Sequence, residues 1–499
     1  MARAAKSVAA KSAAAKAASA KSERGMSVPR ARLDRALNPK SVVVVGDKGP
    51  GFQWLSNLSE FSGPVYSVQL DEKEIPGIEA KGIKNFKSLL DVPGTVDLVI
   101  CAVPRQVTPF VVGDAIKKGV GGISMFTSGF EETGEPQAVE LQARLVAMCR
   151  EGGMPLVGPN CMGIYNRRLG VKFTAGQEKG TGGDIGIISQ SGTHGIGMSL
   201  GAQRAGIRVS RTISIGNAAV LNECDYLQYL RDDPDSPVIA MYLEGTRDGR
   251  RFFNLLKETT KLKPVILWRG GRTKAGARAV RSHTASLAAD GAVWDGLVRQ
   301  TGAIPVHSID EALDAIAALV NTDRPRGRRV ALIAMTGGQS VAITDHFERE
   351  GFEIPELSKR SYDRLAEFFM TIGGSYRNPF DAASTIGRET DNLRKILEIL
   401  AEEPIIDGGV GIELGARGFD TDPGRLNAQL DLLETYRKKT GLPVISMMPV
   451  GGAMGGDELT VLAARNAATA RGFAVYPNFE RGAAALGRVV SHFQWLGSK

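Results

Sequence analysis

The sequence is poor in the residues that mark several common classes of protein. Only four cysteines occur among 499 residues, and no two of them form a CxxC pair. Neither a disulfide framework nor a zinc site is therefore expected, and no metal-ligand set is predicted in this chain. No apolar run approaches the ~20 residues that a membrane helix needs. These absences favour a reducing compartment, the cytoplasm, and a protein without membrane contact.

The chain also has almost no net positive charge outside its first 36 residues. The net charge is +8, but residues 1–36 hold nine Lys/Arg against two Asp/Glu, which leaves the remainder close to neutral. No nucleic-acid partner is therefore expected. The segment 1–36 is rich in Ala, Lys and Ser and is predicted to be a disordered, dispensable basic tail. A transit peptide and non-specific contact with a polyanion remain open for it.

Short apolar runs alternate with helix-length segments from residue 41 onward. Sixty glycines and only 6% aromatic residues fit the many tight turns of such a chain. We expect an α/β protein of three successive Rossmann-like or flavodoxin-like parallel-sheet domains, at 37–168, 169–323 and 324–499. The predicted strands are 41–46, 65–70, 96–103, 122–126, 185–189, 213–215, 238–242, 265–268, 330–335, 409–414 and 444–449.

A glycine-rich turn, residues 46–51, follows the first predicted strand. Such turns bind the phosphates of nucleotide-like ligands in doubly wound sheets. The spacing is not the GxGxxG of dinucleotide-binding proteins, yet Asp71 stands close to the place of a ribose-binding acid. Taken alone, this segment therefore leaves open the binding of a nicotinamide cofactor.

Two further turns resemble phosphate sites. Ser191, Gly192 and Thr193 stand where a strand leads into a helix, and residues 336–340 repeat that arrangement in the third domain. Backbone N–H groups at such a helix start favour an anion. The alternative at Ser191 is an ordinary serine N-cap.

Histidine is rare, and one of the five is unusually placed. His283 stands between Ser282 and Thr284, shortly after the glycine-rich basic run 270–278. A neutral imidazole is nucleophilic near pH 7, and cations nearby would offset developing phosphate charge. His283 is therefore a candidate carrier of a phosphoryl group; the alternative is a histidine that satisfies a loop hydrogen bond. Since loops after parallel strands share one edge, His283, Ser191 and Glu244 are expected to converge.

These motifs occur together in one known family. The chain resembles the α-subunit portion of the nucleoside-diphosphate-forming acyl-CoA synthetases, relatives of the succinyl-CoA ligase α subunit. The matching stretches are residues 41–51, 96–104, 128–134, 158–163, 189–195, 215–217, 242–245, 282–284 and 378–379.

The resemblance implies the reaction acid + CoA + ATP ⇌ acyl-CoA + ADP + Pi, through an acyl phosphate and a phosphohistidine. It implies phosphorylation of His283, an orienting or stabilising role for Glu244, and phosphate binding by the helix start at Ser191, Gly192 and Thr193. The residues that it implies for CoA are Gly46, Lys48, Gly49, Gly51, Val103, Pro104 and Asn160.

The sequence departs from the family pattern at several positions. Asp47 and Lys48 replace small residues in the first turn, and Gln69 replaces an asparagine. His194 is unusual in the phosphate turn, and Ala285 stands where a glycine is usual. These differences affect the expected geometry of CoA and the choice of acid. His194 is expected to have a structural or pocket role rather than a second catalytic one.

No segment is left over for an ATP-grasp module, and no GxxxxGK[ST] motif occurs. The resemblance therefore implies a separate ATP-grasp β subunit, which would hold ATP/ADP with Mg²⁺, while the acid and CoA are the small-molecule partners. A CoA-binding regulatory or acyl-transfer protein without nucleotide chemistry remains the alternative. A nicotinamide-dependent oxidoreductase is the third hypothesis, disfavoured by the missing GxGxxG and the two extra domains.

Overall fold

The computed structural model describes residues 28–284, 291–387, 389–451 and 456–498, with the backbone alone for residues 281–284 and 390. The chain divides into two units. Unit 1 contains the residues up to Leu200 together with Arg208–Thr301. Unit 2 contains Gly201–Ile207 and the residues from Gly302 onward.

Six parallel strands form the first sheet of unit 1. They are β1 (Val42–Val45), β2 (Val65–Val68), β3 (Lys84–Phe86), β4 (Leu98–Cys101), β5 (Gly122–Met125) and β6 (Leu156–Val157). Their order is β3-β2-β1-β4-β5-β6. From β1 the chain adds strands first on one side (β2, β3) and then on the other (β4, β5, β6), so the strand order reverses between β1 and β4. The carboxyl ends of these two strands therefore flank the crevice where such sheets bind ligands.

Helices cover both faces of this sheet, which explains why the four valines of β1 are all buried. The α-helices are Arg30–Leu37, Gln53–Asn57, Ile75–Glu79, Thr108–Lys118 and Pro136–Glu151. Three short 3₁₀ turns are Leu89–Asp91, Arg105–Val107 and Glu131–Thr133.

The first helix corrects the extent of the predicted tail. In Arg30–Leu37 the side chains of Leu33 and Ala36 are fully buried, and Arg35 Nε donates to Asp97 Oδ1 at 2.9 Å. The sequence analysis missed this helix because it gave more weight to the basic composition of the segment than to its apolar residues, which recur at helical spacing. Residues 30–36 are thus part of the folded unit, and residues 1–27 lie outside the described residues.

The second sheet follows directly. Its strands in unit 1 are β7 (Gly163–Asn166), β8 (Ile185–Ser189), β9 (Val209–Ser214), β10 (Val238–Leu243) and β11 (Val265–Arg269). They run in the order β11-β10-β8-β9-β7, parallel except for β7. The helices are Gly192–Arg204, Glu223–Asp232, Gly249–Thr259, Lys274–Thr284 and Gly291–Thr301.

Unit 2 contains β12 (Ile304–Val306) and a five-stranded parallel sheet. The sheet strands are β13 (Val330–Ala334), β14 (Phe380–Asp381), β15 (Gly409–Glu413), β16 (Val444–Met447) and β17 (Val475–Tyr476), in the order β14-β13-β15-β16-β17. The helices are Ile309–Asn321, Gly337–Arg349, Lys359–Ala366, Ala383–Ile386, Thr390–Ala401, Gly424–Thr440, Glu458–Ala470 and Phe479–Gly497.

The predicted fold class, an α/β protein with three mostly parallel sheets, is confirmed. The exact domain boundaries stay predictions. None of the helices in the described ranges is long and apolar enough to cross a membrane. All four cysteines are free and buried, and burial raises the pKa of Cys101 to about 11 and that of Cys149 to about 12.

Candidate active site

The first glycine turn lies at the crevice between β1 and β4. Gly46 has φ +85°, and a Cβ built there would stand 2.5 Å from Cγ1 of Val103 in the loop after β4. Only glycine permits this approach, because a side chain would collide and the backbone is left-handed. The structure thus brings together two of the residues predicted to hold CoA, Gly46 and Val103, and Pro104 follows in the same loop.

The rest of the turn is open. Gly49 and Gly51 have φ +88° and +97°, and no atom lies within 4 Å of a Cβ built on either residue. Lys48 is exposed beside them. Such a surface lets a ligand approach the backbone closely, as a phosphate requires.

Asp47 explains one departure from the family pattern. Its side chain is 3% exposed and accepts a hydrogen bond from Leu55 N at 2.9 Å, while its carbonyl accepts from Gln69 Nε2 at 2.8 Å. Burial raises the pKa of Asp47, although its backbone hydrogen bonds oppose this rise. Asp47 and Gln69 therefore fix the turn from inside, whereas Lys48 is exposed.

Asn160 belongs to a different part of the same edge. Its N–H donates to the carbonyl of Thr127 at 2.9 Å, and the hydroxyl of Thr127 donates to the carbonyl of Val103 at 2.7 Å. The Asn160 side chain reaches Asn217 Oδ1 at 3.4 Å. Asn160 is therefore linked to the Gly46 turn through two intervening loops, and its own side-chain contact is with the second sheet.

The predicted phosphate turn of the second sheet begins a regular helix. The helix starts at Gly192, and Ser191 Oγ accepts from His194 N at 3.3 Å, so the ordinary N-cap contact is present. A Cβ on Gly192 would stand 2.7 Å from Cγ of Met162, which again requires glycine. Thr193 is exposed at the helix start. The remaining N–H groups of the first turn are available to an anion.

Glu244 lies beside this helix start. It follows β10, which pairs directly with β8. Gln190 joins the two loops, since its Oε1 accepts from Glu244 N and, at 3.1 Å, from Gly245 N. The Glu244 side chain is 5% exposed, and Tyr242 OH donates to its Oε1 at 3.2 Å. The predicted meeting of Ser191 and Glu244 therefore occurs, with Gln190 as the bridge.

His194 packs into an aromatic cluster next to Glu244. Its ring centroid lies 4.4 Å from those of both Tyr242 and Trp268, which are themselves 4.8 Å apart. Burial lowers the pKa of His194, although the charge of Glu244 opposes this shift. This packing supports the expected structural or pocket role. Sequence analysis did not single out Tyr242 and Trp268, although they are register partners near the ends of β10 and β11.

His283 lies on the helix Lys274–Thr284, which follows β11; its side chain and the whole of Ala285 lie outside what is described. The basic run 270–278 is a loop only as far as Thr273, whose hydroxyl accepts from Gly276 N at 3.0 Å and so caps the helix. Gly270 is tightly placed, because its Cβ would stand 2.6 Å from Tyr242 Oη and 3.3 Å from Glu244 Cγ. The helix that carries His283 therefore starts from a loop in contact with Glu244.

A polar network continues from this loop to the first sheet. Arg247, three residues after Glu244, donates through Nη2 to the carbonyl of Asn217 at 2.8 Å and to Glu131 Oε2 at 3.2 Å. Asn217 Nδ2 donates to Glu132 Oε2 at 2.6 Å. The turn Glu131–Thr133 also lies against the helix Lys274–Thr284. Both sheets of unit 1 thus contribute to one continuous polar region.

Comparison with known proteins agrees with these sites. Residues 40–167 match the family model described as a CoA binding domain, and residues 182–319 match the succinyl-CoA ligase like flavodoxin domain. The glycine turn lies in the first match, and Ser191, Glu244 and His283 lie in the second.

Curated relatives and solved structures extend the match. The chain is 34% identical over 382 residues to the acetate–CoA ligase [ADP-forming] II subunit alpha of Pyrococcus furiosus, covering 75% of this chain and 81% of the relative. It is 35% identical over 360 residues to the I subunit alpha of the same organism, covering 70% and 76%. The acetyl-coenzyme A synthetase 1 of Ca. Korarchaeum cryptofilum, solved with phosphate and ADP, superposes with a TM-score of 0.80 at 28% identity, covering 93% of this chain and 97% of that one. The chain therefore belongs to the α-subunit family of the ADP-forming acyl-CoA synthetases, which are acid–CoA ligases.

Proposed function

We propose that this chain carries the phosphohistidine of an ADP-forming acyl-CoA synthetase, with His283 as the phosphorylated residue. The observation that carries the proposal is the meeting of Glu244 with the Ser191 helix start, joined through Gln190. The next strand of the same sheet, β11, leads into the helix on which His283 lies. A nucleophile, an orienting carboxylate and an anion-binding helix start would then serve one reaction.

The proposed reaction consists of three displacement steps. A nitrogen of the His283 imidazole attacks the γ-phosphorus of ATP, and ADP leaves. A carboxylate oxygen of the acid then takes the phosphoryl group, which gives an acyl phosphate and restores the imidazole. The sulfur of CoA attacks the acyl carbon, and inorganic phosphate leaves. An acyl phosphate suffices to activate the acid, since phosphate is a far better leaving group than oxide.

Glu244 would orient the imidazole and stabilise its positive charge. Ser191, Gly192 and Thr193 would hold the phosphoryl oxygens on the first-turn N–H groups of the helix. The support for Glu244 is its buried carboxylate with Tyr242 OH as a donor on one oxygen. A carboxylate held in this way has one preferred orientation, which a transient imidazolium requires.

CoA would lie against the first glycine turn. The open space at Gly49 and Gly51, the closed approach of Gly46 to Val103 and the exposed Lys48 support phosphate contacts there. Pro104 would line the same crevice. Asn160 would contact CoA farther along the sheet edge, where its backbone is linked to Val103 through Thr127.

The nucleotide and Mg²⁺ would be held by an ATP-grasp β subunit, as the name "subunit alpha" of the two Pyrococcus relatives supports. The relative from Nitrosopumilus maritimus, a 4-hydroxybutyrate–CoA ligase of which this chain matches 50%, acts on a different acid. The substrate here is therefore a carboxylic acid of unassigned structure. Four buried, free cysteines fit a reducing cytoplasm.

Phosphoryl labelling tests the proposal. The chain is incubated with labelled phosphate and acetyl-CoA or its longer homologues, or with a β subunit and labelled ATP. We expect label on His283, stable to base and labile to acid as a phosphoramidate is. His283→Ala should remove the label, and His307→Ala, a change at an exposed histidine elsewhere in the chain, should keep it. Equal labelling of His283→Ala and the parent chain would overturn the assignment.

A further inference from the structure

The loop that begins at Glu244 runs to Asp248, between β10 and the helix Gly249–Thr259. Gln190 accepts hydrogen bonds from the first two N–H groups of the loop. The Asp248 side chain caps the helix that follows. Both ends of the loop are therefore fixed, and the position of Glu244 also depends on how the middle of the loop, around Arg247, is held.

A buried carboxyl group supports the backbone at Arg247. Glu223 begins the helix Glu223–Asp232 and is fully buried, and its Oε1 accepts from Arg247 N at 3.0 Å. Burial raises the pKa of Glu223, although hydrogen bonds from nearby backbone N–H groups oppose this rise. The backbone at Arg247 is therefore held by a group that water does not reach.

The side chain of Arg247 reaches the turn Glu131–Thr133, which follows β5 of the first sheet. Its Nη2 donates to the carbonyl of Asn217 at 2.8 Å and to Glu131 Oε2 at 3.2 Å, so both bonds leave from one nitrogen. The side chains of Arg247 and Glu131 are 38% and 26% exposed, and water therefore screens this ion pair only in part. Arg247 thus ties the loop of Glu244 to a turn of the neighbouring sheet.

The groups that accept from Arg247 are braced by further hydrogen bonds. Gln142 is buried, and its Nε2 donates to Glu131 Oε2 while its Oε1 accepts from Asn217 Nδ2 at 3.0 Å. The same Nδ2 donates to Glu132 Oε2 at 2.6 Å. Arg247 therefore binds to acceptors whose positions are already set by other residues.

The turn also adjoins two other parts of the proposed site. It lies against the helix Lys274–Thr284, on which His283 stands. Arg105, which directly follows Pro104, donates through Nη1 to the carbonyl of Gly129 at 2.6 Å, just before the turn. A displacement of the turn would therefore affect both the helix of the histidine and the loop proposed to contact CoA.

We propose that Arg247 is a positioning residue of the ligase reaction. Its bonds to Asn217 and Glu131 hold the loop of Glu244 against the turn that adjoins the helix of His283, so that carboxylate and imidazole keep their relative position. Such support matters because a displacement of about 1 Å at a reacting group can lower a rate roughly a hundredfold. The role rests on the proposed function, in which Glu244 orients the imidazole, and Arg247 acts through Glu244 rather than on the phosphoryl group.

The rate of phosphorylation tests this role, in the full chain with a β subunit and labelled ATP. Arg247→Met keeps the length of the side chain and removes both bonds, so the initial rate of labelling should fall about tenfold while the KM for ATP stays the same. Arg247→Lys should recover most of the rate, because both bonds leave from one nitrogen and an ammonium group has three donors. Arg250→Met, at an exposed arginine of the following helix, is the control and should label at the parent rate. Labelling of Arg247→Met at the parent rate would overturn the proposal.

A double variant shows whether Arg247 acts through Glu244. When Arg247→Met is added to Glu244→Gln, labelling should slow by less than about twofold, because the carboxylate that the arginine positions is already absent. A further loss of about tenfold would mean that Arg247 acts independently of Glu244, and this result would also overturn the proposal. If a thermal melt shows that Arg247→Met does not fold, Glu131→Gln, which keeps an oxygen acceptor without the charge, replaces it in both comparisons.

The proposed function and the role of Arg247 fail separately. If the parent chain forms acyl-CoA yet takes no label at His283, the proposed function alone is refuted. The rates of acyl-CoA formation by the same variants then decide the role of Arg247. The parent rate in Arg247→Met overturns it, whereas a loss of about tenfold that Arg247→Lys reverses, and that is absent from the Glu244→Gln background, supports it.

Discussion

Glu244 is held by one residue of its own strand, β10, and by one residue after the neighbouring strand, β8. Gln190 accepts hydrogen bonds from its N–H and from that of Gly245, and Tyr242 donates to its carboxylate. Burial raises the pKa of Tyr242 and the neighbouring charge of Glu244 raises it further, so this hydroxyl remains a donor throughout the neutral range. Tyr242 is thus one of the groups that orient the carboxylate.

Tyr242→Phe tests this dependence. Loss of one hydrogen bond to a carboxylate, worth about 1–2 kcal/mol, should slow phosphorylation of His283 roughly fivefold to thirtyfold while the fold is kept. The measurement is the initial rate of labelling, with a thermal melt to verify folding. Tyr66→Phe, at a ring that packs edge-on against Phe86 in the first sheet, is the control and should label at the parent rate. Equal rates for the two variants would show that Tyr242 has no part in orienting Glu244.

Sequence analysis found some residues of this region and missed others for a physical reason. Ser191 and Glu244 could be predicted because each stands within two residues of the end of a strand, and the structure does bring their loops together. Tyr242 and Trp268 stand inside strands, where an aromatic residue is ordinary core. Their contacts with His194 and Glu244 depend on which residues of β10 and β11 are paired, and this pairing could not be predicted from the sequence.

At the scale of elements, the first glycine turn combines a closed and an open part. Gly46 is pressed against Val103, whereas Gly49 and Gly51 face free space. A side chain at either position would strain a left-handed backbone, but only the one at Gly46 would also collide with Val103. A side chain at Gly51 would instead occupy the space where a ligand is expected.

Gly51→Ala should lower the affinity for CoA about tenfold, because the added methyl group stands between the backbone and a phosphate. The left-handed backbone adds a loss of roughly 1–2 kcal/mol in unfolding free energy. Gly94→Ala is a matched control, since Gly94 has φ +68° and equally open surroundings away from the turn. It should lose similar stability and bind CoA normally. Calorimetry that finds the same affinity for both would remove this turn from the CoA site.

Most long buried strands could be predicted, whereas two-residue strands could not. The exception is β9 (Val209–Ser214), which was predicted only as 213–215 because an arginine, the buried Arg211, is untypical of a core strand. The bounds of Ile185–Ser189 agree with prediction to the residue, and β1, β10 and β13 differ by one or two residues. The two-residue strands Leu156–Val157, Phe380–Asp381 and Val475–Tyr476 were missed, since so few residues show no periodicity. The helix Lys274–Thr284 was also missed, because its glycine and arginine content indicated a loop.

At the scale of the whole molecule, the amino-terminal helix changes what a truncation is expected to do. Residues 1–27 lie outside the described residues, and their composition is that of a low-complexity Ala/Lys/Ser segment, so we expect their deletion to keep the unfolding free energy and the reconstituted activity. Deleting residues 1–36 also removes fully buried Leu33 and Ala36 and the Arg35–Asp97 pair. It should cost about 3 kcal/mol or more, mostly through lost apolar burial. Urea unfolding of the two truncated chains decides this, and equal stability would show that the helix contributes nothing.

Because all four cysteines are buried, a single cysteine introduced at the surface can be labelled selectively. Thiols with a pKa of about 11 or 12 are almost wholly protonated near neutral pH and are shielded from reagents. A cysteine introduced at an exposed position, such as Ala275→Cys on the helix that carries His283, would therefore be the site that a maleimide dye modifies. The native cysteines therefore do not compete for the dye, and any change in the surroundings of this helix during turnover can be followed by fluorescence without replacing a residue of the core.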